Sequence, residues 1–139
     1  MTLSPFHLAI PVDDLEKADA FYGGLMGCAQ GRRSDQWIDF NFFGHQLVTH
    51  LAPDECGLAV TNDVDGKKVP VKHFGVVLEP KNWEALAARL KAAGVEFIIE
   101  PGVRFRGELG EQGTFFLLDP AGNALEFKCF NDMAQLFAN

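Results

Sequence analysis

Residues 71–80 read VKHFGVVLEP, and residues 4–14 read SPFHLAIPVDD. Each places a histidine at the head of an apolar run: His73 before Phe74–Leu78, and His7 before Leu8–Val12. The runs are short and rich in β-branched residues, the pattern of buried strands. The second histidine follows the first by 66 positions, since 73 − 7 = 66. That distance suggests one structural unit used twice, and the neighbouring segments support it.

After the first strand, Asp13 or Asp14 caps an expected helix in DDLEKADAFYGGLMG. Leu15, Ala18, Phe21, Tyr22 and Leu25 recur at steps of three and four, so one face is buried, and Gly27 ends the helix. Two strand-like runs follow, QWIDFNFF and HQLVTHLA, turned at Phe43-Gly44. After a polar stretch the order restarts with KHFGVVLEP as a strand. NWEALAARLKAAG is a helix with Asn82 as its expected cap and Trp83, Leu86, Ala87 and Leu90 on one face. VEFIIEP is a strand, and GTFFLLDPAGNALEFKCF is a hairpin turned at Asp119–Gly122. The expected organisation is a single α+β domain of two tandem βαβββ modules. Module 1 covers about 1–52, a linker about 53–70, module 2 about 71–130 and a tail 131–139.

Composition narrows the function classes. Of 139 residues, 47% are hydrophobic, enough for a sizeable core. The net charge of −7 repels a phosphate backbone, so nucleic acid is not an expected partner. No run approaches the ~18 apolar residues of a membrane span. The N-terminal apolar run lacks the basic flank of a signal peptide. Cys28, Cys56 and Cys129 are odd in number and show no CxxC spacing, which suits reduced thiols. A cytoplasmic protein is expected.

The strands also carry chemistry. In NALEFKCF, Leu125, Phe127 and Cys129 share one face, and Glu126 lies on the other with Ala124 and Lys128. A carboxylate in an apolar strand is costly to bury unless something pairs with it, and a divalent cation would. In HQLVTHLA, Gln46, Val48 and His50 share a face. His7, His50, His73 and Glu126 therefore form a candidate metal set, of residue types suited to Fe(II), Ni(II), Zn(II), Mn(II) or Co(II). Each histidine has a plainer reading as a hydrogen-bonded core residue. His50 is the weakest member, because aligning the turns at Gly44 and Gly122 matches Val48 rather than His50 to Glu126. His45 is expected to face solvent, and replaces His50 only if the register slips.

These stretches resemble the vicinal oxygen chelate superfamily, which includes glyoxalase I, fosfomycin and bleomycin resistance proteins and extradiol dioxygenases. FHLAIPVDDLEKADAFYGGLMG, KHFGVVL, AARLKAAGVEF and TFFLLDPAGNALEFK carry the resemblance, and the last is the most specific. The resemblance implies a curved mixed sheet around a metal-binding cavity and a homodimer. It implies ligands from the first and last strand of each module: His7, His73 and Glu126, with His50 as the fourth and Glu126 also as a catalytic base. The subset of two histidines and one carboxylate is similar to that of extradiol dioxygenases and fosfomycin transferases. Ring-cleaving or related dioxygenase chemistry is the leading expectation, isomerase or lyase chemistry the second, and metal-free drug or toxin binding the third. Arg104 and Arg106 are candidate holders of a substrate carboxylate. Gln112 is a candidate for orienting an oxygen. Trp37, Phe40, Phe42, Phe115 and Phe116 are candidate pocket walls, with Trp37 and Phe115 foremost. For these residues the plainer alternatives are a solvated loop and ordinary core.

Overall fold

A computed structural model describes residues 3–139. The chain divides into two compact units. The first comprises residues up to Leu58 together with Asp119–Asn123, and the second comprises Ala59–Leu118 and Ala124–Asn139.

In the first unit, β1 (His7–Val12) runs parallel to β4 (His45–Leu51), which pairs antiparallel with β3 (Trp37–Phe42), followed by β2 (Ala29–Arg33). Alternation sorts the strands into two faces. Ile10, Val12, Leu47, Thr49, Ile38, Phe40 and Phe42 are buried on one of them. Tyr22 packs there against Phe40 and Phe42, at ring distances of 5.7 and 6.4 Å. The helix opens at Asp14, whose carboxylate accepts from the Lys17 N–H. It is α-helical only over Leu15–Ala18 (α1) and widens to a π-helical stretch over Asp19–Leu25. The widened turn brings Met26 into the core, where a 3.6-residue period had pointed to Leu25.

The Asp119–Asn123 turn belongs to this first unit. The buried Tyr22 hydroxyl donates to Asp119 Oδ2 at 2.7 Å, and Asn123 Nδ2 donates to the Pro11 carbonyl at 2.8 Å. Asp119 also accepts from the backbone N–H groups of Ala121 and Asn123, which is why an aspartate opens this turn.

The segment expected as a linker is partly ordered. Thr61–Val64 (β5) and Lys67–Pro70 (β6) form a hairpin turned at Asp65-Gly66, with φ of 48° and 73°. Two consecutive left-handed residues make the turn that joins strands most tightly, and Asp-Gly is its usual sequence.

In the second unit, β11 (Ala124–Cys129) is flanked on one side by β10 (Gln112–Leu118) and β9 (Phe97–Arg104). On its other side lie two short parallel pieces, β7 (His73–Phe74) and β8 (Val77–Leu78). The helix α2 spans Pro80–Ala92. It starts two residues before the expected Asn82 cap, because proline's fixed φ suits a first helical residue and its missing N–H is one the helix start would leave unpaired. Trp83 donates to the Phe127 carbonyl at 2.9 Å and lies 5.6 Å from the Phe115 ring. One sheet face thus carries Phe115, Leu117, Leu125 and Phe127, all fully buried. The other carries Thr114, Phe116, Ala124, Glu126 and Lys128, and Phe116 clusters there with Val69 and Ile99.

Candidate functional site

The two strand-leading histidines occupy matching places. His7 is paired with Gln46 on β4, and His73 with Ala124 on β11. Two positions on, Ala9 is paired with Val48, and the corresponding place in the second unit brings Gly75 against Glu126. A Cβ at Gly75 would fall on the Glu126 carbonyl oxygen. Only glycine lets the first strand pass so close, and there the strand is interrupted between β7 and β8.

Glu126 is 6% exposed. Its Oε2 accepts a 2.5 Å hydrogen bond from the Thr114 hydroxyl. Its Oε1 lies 3.3 Å from His73 Nε2 and 3.9 Å from Lys128 Nζ. The other ring nitrogen of His73, Nδ1, faces the Pro70 carbonyl oxygen at 2.5 Å. The ring edge meets Phe116, with centroids 5.1 Å apart.

Both nitrogens of His73 therefore face acceptors. A neutral imidazole carries one proton and satisfies one of them, whereas the imidazolium satisfies both. The hydrogen bond to Glu126, aided by the Pro70 carbonyl, accordingly raises the His73 pKa against the opposing pull of burial. Burial pushes Glu126 upward, but hydrogen bonds from His73 and Thr114 and the charge of Lys128 outweigh it and leave the carboxyl below its ordinary value. A divalent cation held by His73 and Glu126 would relieve the same opposition for a neutral ring.

In the first unit His7 Nδ1 lies 2.7 Å from Gln46 Oε1, and Gln46 Nε2 donates to Asp39 Oδ2 at 3.4 Å. The register puts Val48, not His50, at the place that Glu126 takes in the second unit. His50 is exposed and paired with Trp37 and Pro11, two pairs further along. His50 therefore does not lie at the place that Glu126 takes in the second unit, because the first hairpin lacks the two extra residues that would move it there. His45 accepts the Phe6 N–H on Nδ1 at 2.8 Å. Among the described residues, no group of three or more His, Cys, Asp and Glu side chains lies close enough to hold a metal ion.

The candidate substrate contacts separate. Phe115 is fully buried among Trp83, Phe97 and Phe127, and Phe40 and Phe42 lie beneath the first helix, so these three are core. Strand parity explains Phe115: Glu126 is opposite Phe116, so the neighbouring phenylalanine faces the other way. Trp37 stays half-buried on the His7 face with the Arg32 guanidinium 5.6 Å from its ring. Arg104 is buried, donates to the Val64 carbonyl at 2.8 Å, and leaves its Nε without a partner. Arg106 is exposed, and Gln112 spends its amide on the Gly110 carbonyl. The sequence reading overlooked Thr114 and Pro70. Thr114 was detectable as the hydroxyl two residues from Phe116 on the Glu126 face, whereas the Pro70 contact depends on the hairpin.

Residues 4–127 match the model of the Glyoxalase/Bleomycin resistance protein/Dioxygenase superfamily. The chain is similar to a glyoxalase/bleomycin resistance protein/dioxygenase from Alicyclobacillus acidocaldarius, at 37% identity over 96% of each chain and a TM-score of 0.83. It shares its fold with the fosfomycin resistance protein FosX from Listeria monocytogenes, at 16% identity, 97% and 99% coverage of the two chains and a TM-score of 0.70. It shares it equally with a lactoylglutathione lyase from Agrobacterium tumefaciens, at 21% identity, 98% and 97% coverage and a TM-score of 0.68. No curated protein sequence matches. With the two repeated strand-leading histidines, the buried strand glutamate and these matches, the chain belongs to the glyoxalase/bleomycin resistance protein/dioxygenase superfamily.

Proposed function

We propose that this protein is a divalent-metal-dependent enzyme, with His7, His73 and Glu126 as metal ligands, acting on a small substrate that offers two neighbouring oxygens. The observation that carries this reading is the His73–Glu126 pair, where an imidazole nitrogen and a buried carboxylate oxygen oppose each other at 3.3 Å. The donor set fits: imidazole nitrogen and carboxylate oxygen suit Fe(II), Ni(II), Mn(II) and Zn(II). A bound ion supplies Lewis acidity to the substrate oxygens and, as Fe(II), the means to use dioxygen. The chain's own residues do the rest. Pro70 orients His73, Thr114 and Lys128 hold Glu126, and Phe116 with Val69 and Ile99 forms an apolar border.

Val48 at the place matching Glu126 supports three protein ligands rather than four. Two histidines and one carboxylate form the set typical of non-haem Fe(II) oxygenases, so dioxygenase-type chemistry is favoured over isomerase or lyase chemistry. Arg104, buried with one hydrogen bond and no ion pair among the described residues, favours a substrate bearing an anionic group. The reading includes a homodimer. It holds whether His7 joins the pair from the same chain or from a second copy.

Elemental analysis after loading with Fe(II), Ni(II), Mn(II) or Zn(II) should find about one ion per chain, and His73→Ala should lose it. No stoichiometric metal under any of the four conditions sinks the enzyme reading and leaves a metal-free binding protein. Oxygen uptake with Fe(II) and a panel of catechols tests the reaction class. Silence there, together with Ni(II)-dependent turnover of a hemithioacetal, reverses the order.

A further inference from the structure

The first unit contains a hydrogen-bonded line, Asp39–Gln46–His7, whose polarity can be worked out from one end. Asp39 is 9% exposed, and an ionised carboxylate only accepts. The Gln46 atom facing it at 3.4 Å is therefore the NH2 group. The opposite amide orientation would set oxygen against oxygen. Arg32 Nε lies 3.8 Å from the same Asp39 oxygen. With Nε2 turned to Asp39, Gln46 presents Oε1 to His7 Nδ1 at 2.7 Å. An amide oxygen only accepts, so Nδ1 carries the proton. The neutral His7 ring then keeps its lone pair on Nε2, the form that binds a metal through that atom.

The other histidines give the comparison. His73 has the same polarity, with Nδ1 on the Pro70 carbonyl. His45 has the reverse, because its Nδ1 accepts the Phe6 N–H and a neutral ring must then carry its proton on Nε2. A neutral histidine free in water also prefers the Nε2–H form. His7 therefore needs a partner to hold it in the other form, and an amide fixed by a carboxylate is such a partner.

We infer that Gln46, oriented by Asp39, is a positioning residue that sets the His7 tautomer for metal binding. This rests on the reading of His7 as a ligand. The test uses the metal-free protein labelled with 15N-histidine, at a pH where imidazole is neutral, with zinc affinity measured by chelator competition. Wild-type His7 should show Nδ1–H. Gln46→Leu should shift it to Nε2–H and weaken zinc binding ~10–100-fold, the usual cost of losing an outer partner of a ligand. The double variant Asp39→Asn with Gln46→Glu should restore both, since an asparagine amide on β3 can donate to a carboxylate on β4 that still accepts from His7. An unchanged tautomer in Gln46→Leu, or Nε2–H in the wild type with zinc still bound, overturns the positioning role alone. Absence of zinc binding in the wild type overturns the metal reading, and the positioning role with it.

Discussion

At the scale of the residue, the informative feature of His73 is that its two nitrogens have two acceptors and, when neutral, one proton. The pH behaviour of the metal-free protein follows. His73 is raised in the folded state, so its contribution to stability is complete below the unfolded histidine value of about 6.5 and is lost as pH rises through the folded value. Glu126 is lowered, so its contribution is complete above the unfolded value of about 4.3 and is lost as pH falls through the folded value. The stability gap between wild type and His73→Gln should therefore be widest between about pH 4.3 and 6.5. Urea denaturation in the presence of a chelator measures it, and a gap that grows above pH 7 would contradict the ion-pair description. Metal and proton compete for the same nitrogen, so metal affinity should rise across the range where the gap closes.

At the scale of the element, β11 depends on what passes beside it. Gly75 is the one residue type that fits against the Glu126 backbone. Gly75→Ala must push β7 and β8 off β11, at a cost of about 1–3 kcal/mol or more, typical of overpacking in a tight interior. Because the displaced piece carries His73, metal affinity should fall along with melting temperature. A variant with lowered stability and unchanged affinity would mean that the pair tolerates the shift. Strands and helices of this kind were readable in the sequence, because alternation and three-to-four spacing are local. Other details were not. The π-helical widening over Asp19–Leu25 overrides the local period in favour of burying Met26. The Asp65-Gly66 turn carried a local signal, but its flanking residues are mostly exposed, so no apolar alternation drew attention to it.

At the scale of the whole molecule, stability should report the metal directly. An ion that binds the folded chain alone stabilises it by ~2.7 kcal/mol at one hundred times its dissociation constant. For a chain of this size that corresponds to roughly 10 °C in melting temperature. Differential scanning fluorimetry with Zn(II) or Ni(II) should show the rise in wild type and little in His73→Ala. Equal shifts in both would assign the effect to adventitious binding elsewhere. Among the described residues no helix is long and apolar enough to cross a membrane.

The order of elements apart from β2 and the β5–β6 hairpin, its repetition at His7 and His73, and the isolated carboxylate at Glu126 were determined by the sequence alone. Each rests on periodicity or on the cost of burying a charge, and both act through neighbours along the chain. The pairing of His73 with Glu126 and the core position of Phe115 were decided only by tertiary structure, whereas the match of Val48 rather than His50 to Glu126 already followed from aligning the two turns. Strand register decides them, and a shift of one residue turns every side chain to the opposite face. The polarity of the line from Asp39 through Gln46 to His7 belongs to the same group. It depends on three strands coming into register, which no single stretch of sequence encodes.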